Sequence, residues 1–454
     1  MKNLNPFVLI LFFGILLFFT IAHADNPLFT NAFSADPTAR LFEGKIYLYP
    51  SHDIIPPNGG RGFCMEDYHV YSSENLMDWT DHGVIVTQTE VDWVNPNYGM
   101  WAPDCVFKND KYYFYFPANS KPTEGGDNNR RGRGGVKKVG VAVADKPYGP
   151  YKAEATAIPN IPPSIDPGVL IDPKDGSAYL FYSMNAIFVV KLKDNMLEME
   201  TEPVLIPNLP TEGLVEGPFA FERNGIYYLT FPHDVGGGEA LEYATADNPM
   251  GPYTMKGIIM DKNEGCWTNH HSLVEYKGQW YLFYHYKDLS PRDDARRSAR
   301  ADYITFNEDG TIQKVTPTLR GVGICDAKRN IQIDRYSAIS EQGVSISYLN
   351  DDNKGEGWKA VLTEKDAFIQ YDRIELGKEA LKSVKIRTLS STGGTVEVRL
   401  NSRLGPLLAK VEIPKGTEWK AISANLTASA SGLQNLVVSM PEQNHIEIDW
   451  VCFE

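Results

Sequence analysis

The sequence predicts an all-β protein, a five-bladed β-propeller over residues 25–344 followed by a β-sandwich of jelly-roll type over residues 345–454. Three observations carry this reading. A short aromatic pattern recurs five times, a turn-rich motif follows several of the copies, and the composition changes near residue 345.

The recurring unit is a turn residue followed by an aromatic-rich strand. Its copies are Gly44-Lys45-Ile46-Tyr47-Leu48-Tyr49, Asp110-Lys111-Tyr112-Tyr113-Phe114-Tyr115, Gly176-Ser177-Ala178-Tyr179-Leu180-Phe181, Gly225-Ile226-Tyr227-Tyr228-Leu229-Thr230 and Gly278-Gln279-Trp280-Tyr281-Leu282-Phe283. Such runs favour buried strands over helices. The segments Ser73-Glu74-Asn75-Leu76-Met77-Asp78-Trp79, Tyr148-Gly149-Pro150-Tyr151 and Met250-Gly251-Pro252-Tyr253 read as turns joining outer strands. A four-stranded blade takes about 40–50 residues, so five units over about 300 residues suit five blades. A β-sandwich with coincidentally Tyr-rich strands is the competing reading. No long apolar stripe of helical period is present.

Residues 25–344 hold 41 aromatics, and residues 345–454 hold 7, about half the density. The polar stretch 350–357 reads as a linker or an early loop of the second unit. Acidic residues outnumber basic ones by 58 to 44, for a net charge of −14. That argues against a nucleic-acid protein, which needs a basic face to meet phosphates, and against a polybasic membrane anchor. The basic run from Arg130 to Lys138 is expected to be a solvated loop. Five cysteines are too few for a disulfide scaffold, and their odd number leaves at least one unpaired within the chain. At the N-terminus, Lys2, an apolar run from Phe7 to Ala22 and the Ala22-His23-Ala24 site read as a signal peptide over residues 1–24. The expected location is therefore secreted or periplasmic, with no membrane span elsewhere.

About ten residues before each aromatic strand stands a polar signature: Asp36-Pro37, Pro103-Asp104, Asp166-Pro167, Glu216-Gly217-Pro218 and His270-His271. In a propeller these positions converge on one axis. Carboxylates crowded there repel and shift in pKa, which marks a site more than a stabilising device. Two carboxylates across a small polar pocket suit glycosidic bond hydrolysis. Asp104 reads equally as a strand-edge residue. His270 and His271 are adjacent on a strand and point to opposite faces, so at most one faces the channel. Signatures of phosphate-binding loops, serine hydrolases and zinc proteases are absent.

These residues resemble glycoside hydrolase family 43 over residues 26–322. Asn26-Pro27 and Ala35-Asp36-Pro37 look like the family's first blade, Met100-Trp101-Ala102-Pro103-Asp104 its second and Ile165-Asp166-Pro167 its third. Glu216-Gly217-Pro218 matches the fourth and Thr268-Asn269-His270 the fifth, while Arg297-Ser298 fits the family's pocket arginine. The resemblance implies an inverting mechanism. Asp36 would be the base, Glu216 the general acid and Asp166 the carboxylate that raises the pKa of Glu216. Trp101 would shape the sugar pocket, and His270 would hold a central cation or water. No cofactor is required on this reading, with a structural calcium allowed at His270. The C-terminal part resembles a family 6 carbohydrate-binding module through Phe368-Ile369-Gln370-Tyr371, the run Gly394 to Leu400, Trp419 and Ile448-Asp449-Trp450. Sugar binding and a structural role both stay open for it.

The implied activity is release of α-L-arabinofuranosyl residues from arabinoxylan or a related plant cell-wall polysaccharide. A β-xylosidase of the same fold is the alternative, and a non-catalytic sugar-binding propeller is the reading from another class.

Overall fold

The computed structural model describes residues 26–122, 135–213, 215–263, 266–290, 293–352 and 357–454. The expected signal peptide and most of the basic run lie outside the described residues. Within them every regular element is a β-strand. Among the described residues no helix is long and apolar enough to cross a membrane.

The first part forms five antiparallel sheets in strict chain order. The first contains β1 (Ala35–Phe42), β2 (Lys45–Asp53), β3 (Met65–Ser73) and β4 (Thr80–Thr87). The second contains β5 (Asp104–Lys108), β6 (Lys111–Asn119), β7 (Lys137–Ala144) and β8 (Lys152–Ala153). The third contains β9 (Ile165–Ile171), β10 (Ala178–Ser183), β11 (Ile187–Leu192) and β12 (Val204–Leu205). The fourth contains β13 (Phe219–Arg223), β14 (Ile226–Asp234), β15 (Glu239–Ala246) and β16 (Thr254–Met260). The fifth has three strands, β17 (Ser272–Tyr276), β18 (Gln279–Tyr286) and β19 (Ser298–Ile304).

Local chemistry explains this regularity. The aromatic repeats are the second strands β2, β6, β10, β14 and β18. Four of the five first hairpins close through two residues that both have positive φ: Glu43-Gly44, Asn109-Asp110, Asn224-Gly225 and Lys277-Gly278. Such turns match the right-handed twist of the flanking strands. The three outer-turn motifs lie between the third and fourth strands of their sheets, as the sequence suggested.

First strands touch in cyclic order, β1 to β5, β5 to β9, β9 to β13, β13 to β17 and β17 back to β1. Five apolar clusters fill the spaces between neighbouring sheets. Tyrosine rings supply much of that packing and cross-link it with their hydroxyls. Tyr49 donates to Pro147 O at 2.6 Å, Tyr115 to Met196 O at 2.7 Å and Tyr228 to Gly310 O at 2.7 Å. A buried Tyr whose hydroxyl lacked a partner would lose much of the benefit of burying its ring. The fifth sheet gains its outer edge from the start of the chain. Leu28 N–H donates to Ala299 O at 2.8 Å, and Ser34 N–H to Arg297 O at 2.9 Å.

The C-terminal part has two six-stranded sheets around one shared apolar core. Alternation is clear in Ser383–Leu389, where Val384 and Ile386 are buried between half-exposed neighbours. The expected boundary after residue 344 is too late. Cys325–Asp326 and Ala338–Ile339 pair with Phe368–Glu375, and Ile331–Gln332 pairs with Ile446–Phe453. Ala327, Ile331 and Ile333 belong to the C-terminal core. The second unit therefore begins near Cys325. These strands are only two residues long, so they leave no periodic signal in the sequence. No two of the five cysteines form a disulfide.

Candidate active site

The inner ends of the five sheets open onto a cavity of about 970 Å³. Asp36, Trp101, Asp166, Glu216, His270 and Arg297 all line it.

Two of the carboxylates are presented by the same device. Asp36 (φ 48°) and Asp166 (φ 54°) both precede a proline in the left-handed region, at irregularities in the β1/β2 and β9/β10 ladders. Bulges re-aim side chains next to sites, and such a backbone costs roughly 1–3 kcal/mol each that the surrounding structure must offset. Each carboxylate then receives a hydroxyl from the neighbouring strand. Ser51 Oγ donates to Asp36 at 2.7 Å, and Ser183 Oγ to Asp166 at 3.3 Å.

Asp36 is held as an anion. Arg297 Nη1 donates to its Oδ1 at 2.7 Å. The Asp36 backbone N–H donates to His285 Nδ1 at 3.1 Å. Nδ1 must therefore be the acceptor, which leaves the proton on Nε2 facing Thr268 O at 3.0 Å. Burial, followed by Arg297, drives the His285 pKa down to about 3, so this ring is neutral. Burial alone would raise the Asp36 carboxyl. Arg297, His270 and the Ser51 hydroxyl outweigh it and bring it below its ordinary value.

Arg297 is aimed by Asp53, which sequence reasoning missed. The guanidinium grips Asp53 with two bonds of 2.9 Å, and the Arg297 backbone N–H adds a third at 2.8 Å. Asp53 is fully buried.

Glu216 is the opposite case. Burial first, then the charges of Glu239 and Asp36, push its carboxyl up to about 8, against an opposing pull from Lys137. Asp166 is itself raised to about 7 by burial and then by Glu216, while Gly217 N–H donates to its Oδ2 at 3.2 Å. The sequence assigned the lifting of Glu216 to Asp166. The larger charge acting on it is Glu239, at the start of β15. Glu239 is buried, with Oε2 accepting from Asn269 N–H at 2.7 Å, and burial pushes it too up to about 8. Gly217 follows from packing. Its φ is +53°, and an added Cβ would come within 2.9 Å of His270 Nδ1.

Three further expectations resolve in the structure. His270 lines the cavity, whereas His271 is buried behind it, its Nε2 2.6 Å from Thr230 Oγ1. Asp104 does not line the cavity. It takes a bidentate grip from Arg40 and accepts from Val169 N–H at 2.6 Å, tying the first three sheets together. Lys137, at the end of the basic run read as a solvated loop, lies in the cavity wall with its ammonium 5.0 Å over the Trp101 ring.

For the expected calcium the donors are sparse. Calcium takes six to eight oxygens, His270 offers nitrogen, and among the described residues no three metal-ligating side chains of His, Cys, Asp or Glu type gather around it. These residues do not build a protein cage for that ion.

Residues 24–312 match the model of glycosyl hydrolases family 43, and residues 337–454 match that of carbohydrate binding module family 6. A xylosidase/arabinosidase of Humicola insolens is 35% identical over 64% of this chain and 99% of its own length. An arabinoxylan arabinofuranohydrolase of Paenibacillus polymyxa is 26% identical over 90% of this chain and 71% of its own length. Among solved structures, a family 43 β-xylosidase/α-arabinofuranosidase from a compost microbial metagenome, in complex with xylotriose and calcium-free, aligns at TM-score 0.56 and 32% identity. That alignment covers 65% of this chain and 98% of the other. A cavity whose buried carboxyls are driven to opposite protonation states thus sits in a sequence that matches glycosidases over the same residues, and the chain is a member of glycosyl hydrolases family 43 with a C-terminal module of carbohydrate-binding family 6.

Proposed function

We propose that the protein is a secreted, inverting exo-acting glycosidase that releases α-L-arabinofuranosyl residues from arabinoxylan or a related plant polysaccharide. The observation that carries this is the divergence of Asp36 and Glu216. Two carboxyls pushed apart in pKa within one pocket define a base and an acid at neutral pH. Asp36, anionic beside Arg297, takes a proton from water as it attacks the anomeric carbon. Glu216, kept protonated by burial and neighbouring carboxylates, gives its proton to the departing oxygen. The remaining negative charge favours an oxocarbenium-like transition state. The half-buried Trp101 offers an apolar face to the sugar.

The cyclic contacts of the first strands and the five intervening cores support a five-bladed propeller for the catalytic part. Two sheets on one core support a β-sandwich for the module. The carbohydrate-binding match supports a polysaccharide partner. The reaction draws on no cofactor, and a calcium ion at His270 would be held largely by water.

β-Xylosidase activity is the second reading, favoured by relatives whose names join both activities. Aryl α-L-arabinofuranoside and aryl β-D-xyloside, assayed side by side, separate the two. Proton NMR of the first-formed sugar tests the stereochemistry, since inversion requires the two carboxyls about 6.5–9.5 Å apart with water between them. A retained anomer refutes the assigned roles, and no turnover of either glycoside favours a binding protein.

A further inference from the structure

A second cluster of ligating side chains lies outside the catalytic cavity, on the other face of the strand that carries Asp53. Side chains alternate along a strand. With Asp53 turned inward to Arg297, the preceding His52 turns outward. On β3, Asp67 and His69 stand two residues apart and share that outer face. His52 Nδ1 lies 2.7 Å from Asp67 Oδ1, and His69 Nε2 lies 3.9 Å from the same oxygen. The imidazole centroids are 4.8 Å apart in an edge-on arrangement. One donor atom from each of the three residues falls within 4.8 Å of the others. All three side chains are partly open to solvent, at 22%, 12% and 18% exposure.

Asp81, on β4, gives the second observation. Its Oδ1 lies 3.2 Å from His69 Nδ1. A carboxylate there holds the proton on Nδ1 and leaves the Nε2 lone pair facing Asp67. Asp67 Oδ1 is already in hydrogen-bond contact with His52 Nδ1 at 2.7 Å, so a cation that replaces the shared proton would hold both of these atoms and take the His69 Nε2 lone pair as its third ligand. A carboxylate behind the far nitrogen is the usual support of a metal-bound histidine. Ligand atoms around a tetrahedral zinc stand about 3.3 Å apart, a spacing that lies between the 2.7 and 3.9 Å separations seen here.

We propose that His52, Asp67 and His69 form a divalent transition-metal site of the two-histidine, one-carboxylate type, suited to zinc, with its open positions filled by water. The site ties the end of β2 to the start of β3. Between these strands runs the 54–64 segment, which contributes Pro56, Phe63 and Cys64 to the wall of the sugar cavity. The Phe63 ring lies 4.8 Å from the Arg297 guanidinium. An ion at this root clamps the wall without touching the reacting carboxyls.

The test uses the tag-free full chain after EDTA treatment and dialysis, titrated with zinc chloride by calorimetry and with cobalt(II) by visible absorption. One equivalent is expected to bind with micromolar or tighter affinity at neutral pH. His52→Gln and His69→Gln should each weaken binding by at least ~100-fold, and Asp81→Asn by roughly 10–100-fold. His270→Gln should keep the ion, which separates this site from the catalytic cavity. Unchanged aryl glycosidase activity and melting temperature in His69→Gln show that the variant is folded. Binding weaker than millimolar in the parent chain, or parent-level binding in both histidine variants, overturns the proposal.

Discussion

The protonation of Glu216 should be adjustable in both directions from the cavity wall. Glu239 raises it and Lys137 lowers it, so Glu239→Gln and Lys137→Met should move the alkaline limb of kcat/KM oppositely. In the parent enzyme that limb reports loss of the Glu216 proton and is expected near pH 8, with Glu216 and Glu239 titrating as a pair. The two side chains share a hydrogen bond, and like charges about 4 Å apart at an effective dielectric constant of about 20 repel by about 4 kcal/mol, or about 3 pKa units. Glu239 is itself only partly ionised near pH 8, so its removal should shift the limb toward acid by about one unit. Gln still accepts from Asn269 N–H, which preserves the local structure. Lys137 is half-exposed and screened, so its loss should shift the limb toward alkali by less than about one unit. Methionine keeps an apolar stem over Trp101. The assay needs a substrate with a poor leaving group, such as an oligosaccharide, because a stable phenolate departs without acid help and hides the limb. Limbs that stay in place in both variants, or move the same way, would refute this account of the acid.

Other expectations follow from the same geometry. Glu216→Ala should cost roughly 10²–10⁴-fold on polysaccharide and much less on an activated aryl glycoside, whereas Asp36→Ala should fail on both; steady-state rates on the two substrates decide it. Asp53→Ala leaves the Arg297 guanidinium buried with one partner fewer, and breaking such a pair costs about 3–5 kcal/mol, so urea unfolding should show a loss of that size alongside reduced kcat. Truncation after residue 344 strands Ile331 and Ile333 without their core and should yield aggregated protein. Truncation just before Cys325 should leave soluble protein with near-parent kcat on small glycosides, measured by gel filtration and initial rates.

The sheets were legible because each aromatic strand follows a turn that only certain residues form, and both signals are local. Asp36, Asp166, Glu216 and His270 were legible because the repeat places them in register, whereas Trp101 and Arg297 were reached only through the family resemblance. Glu239 and Asp53 were not. Glu239 opens a strand that reads as ordinary alternation with Leu241 and Tyr243, and only its place on the buried face marks it. Asp53 ends a strand and meets Arg297 across 244 positions of sequence, a pairing no local pattern encodes. Lys137 was hidden in a basic run whose composition resembles a solvated loop. The late boundary has the same origin, since aromatic density reports where large rings stop and not where two-residue strands join a distant sheet.

The joining of the chain's start to β19 has a consequence for when the enzyme can work. Asp36 and Arg297 are 261 positions apart, and the backbone of Ser34 is bonded to Arg297 itself, while Ser34 Oγ accepts from Ala299 N–H at 3.0 Å. The proposed base and the cation beside it therefore meet only when the first and fifth sheets have closed on each other. A nascent chain that has not yet delivered β19 carries Asp36, Asp166 and Glu216 without a formed base. On the proposed roles, hydrolytic competence arrives with the fifth sheet, and a chain that stops short of it should be catalytically silent however many of its earlier sheets have formed.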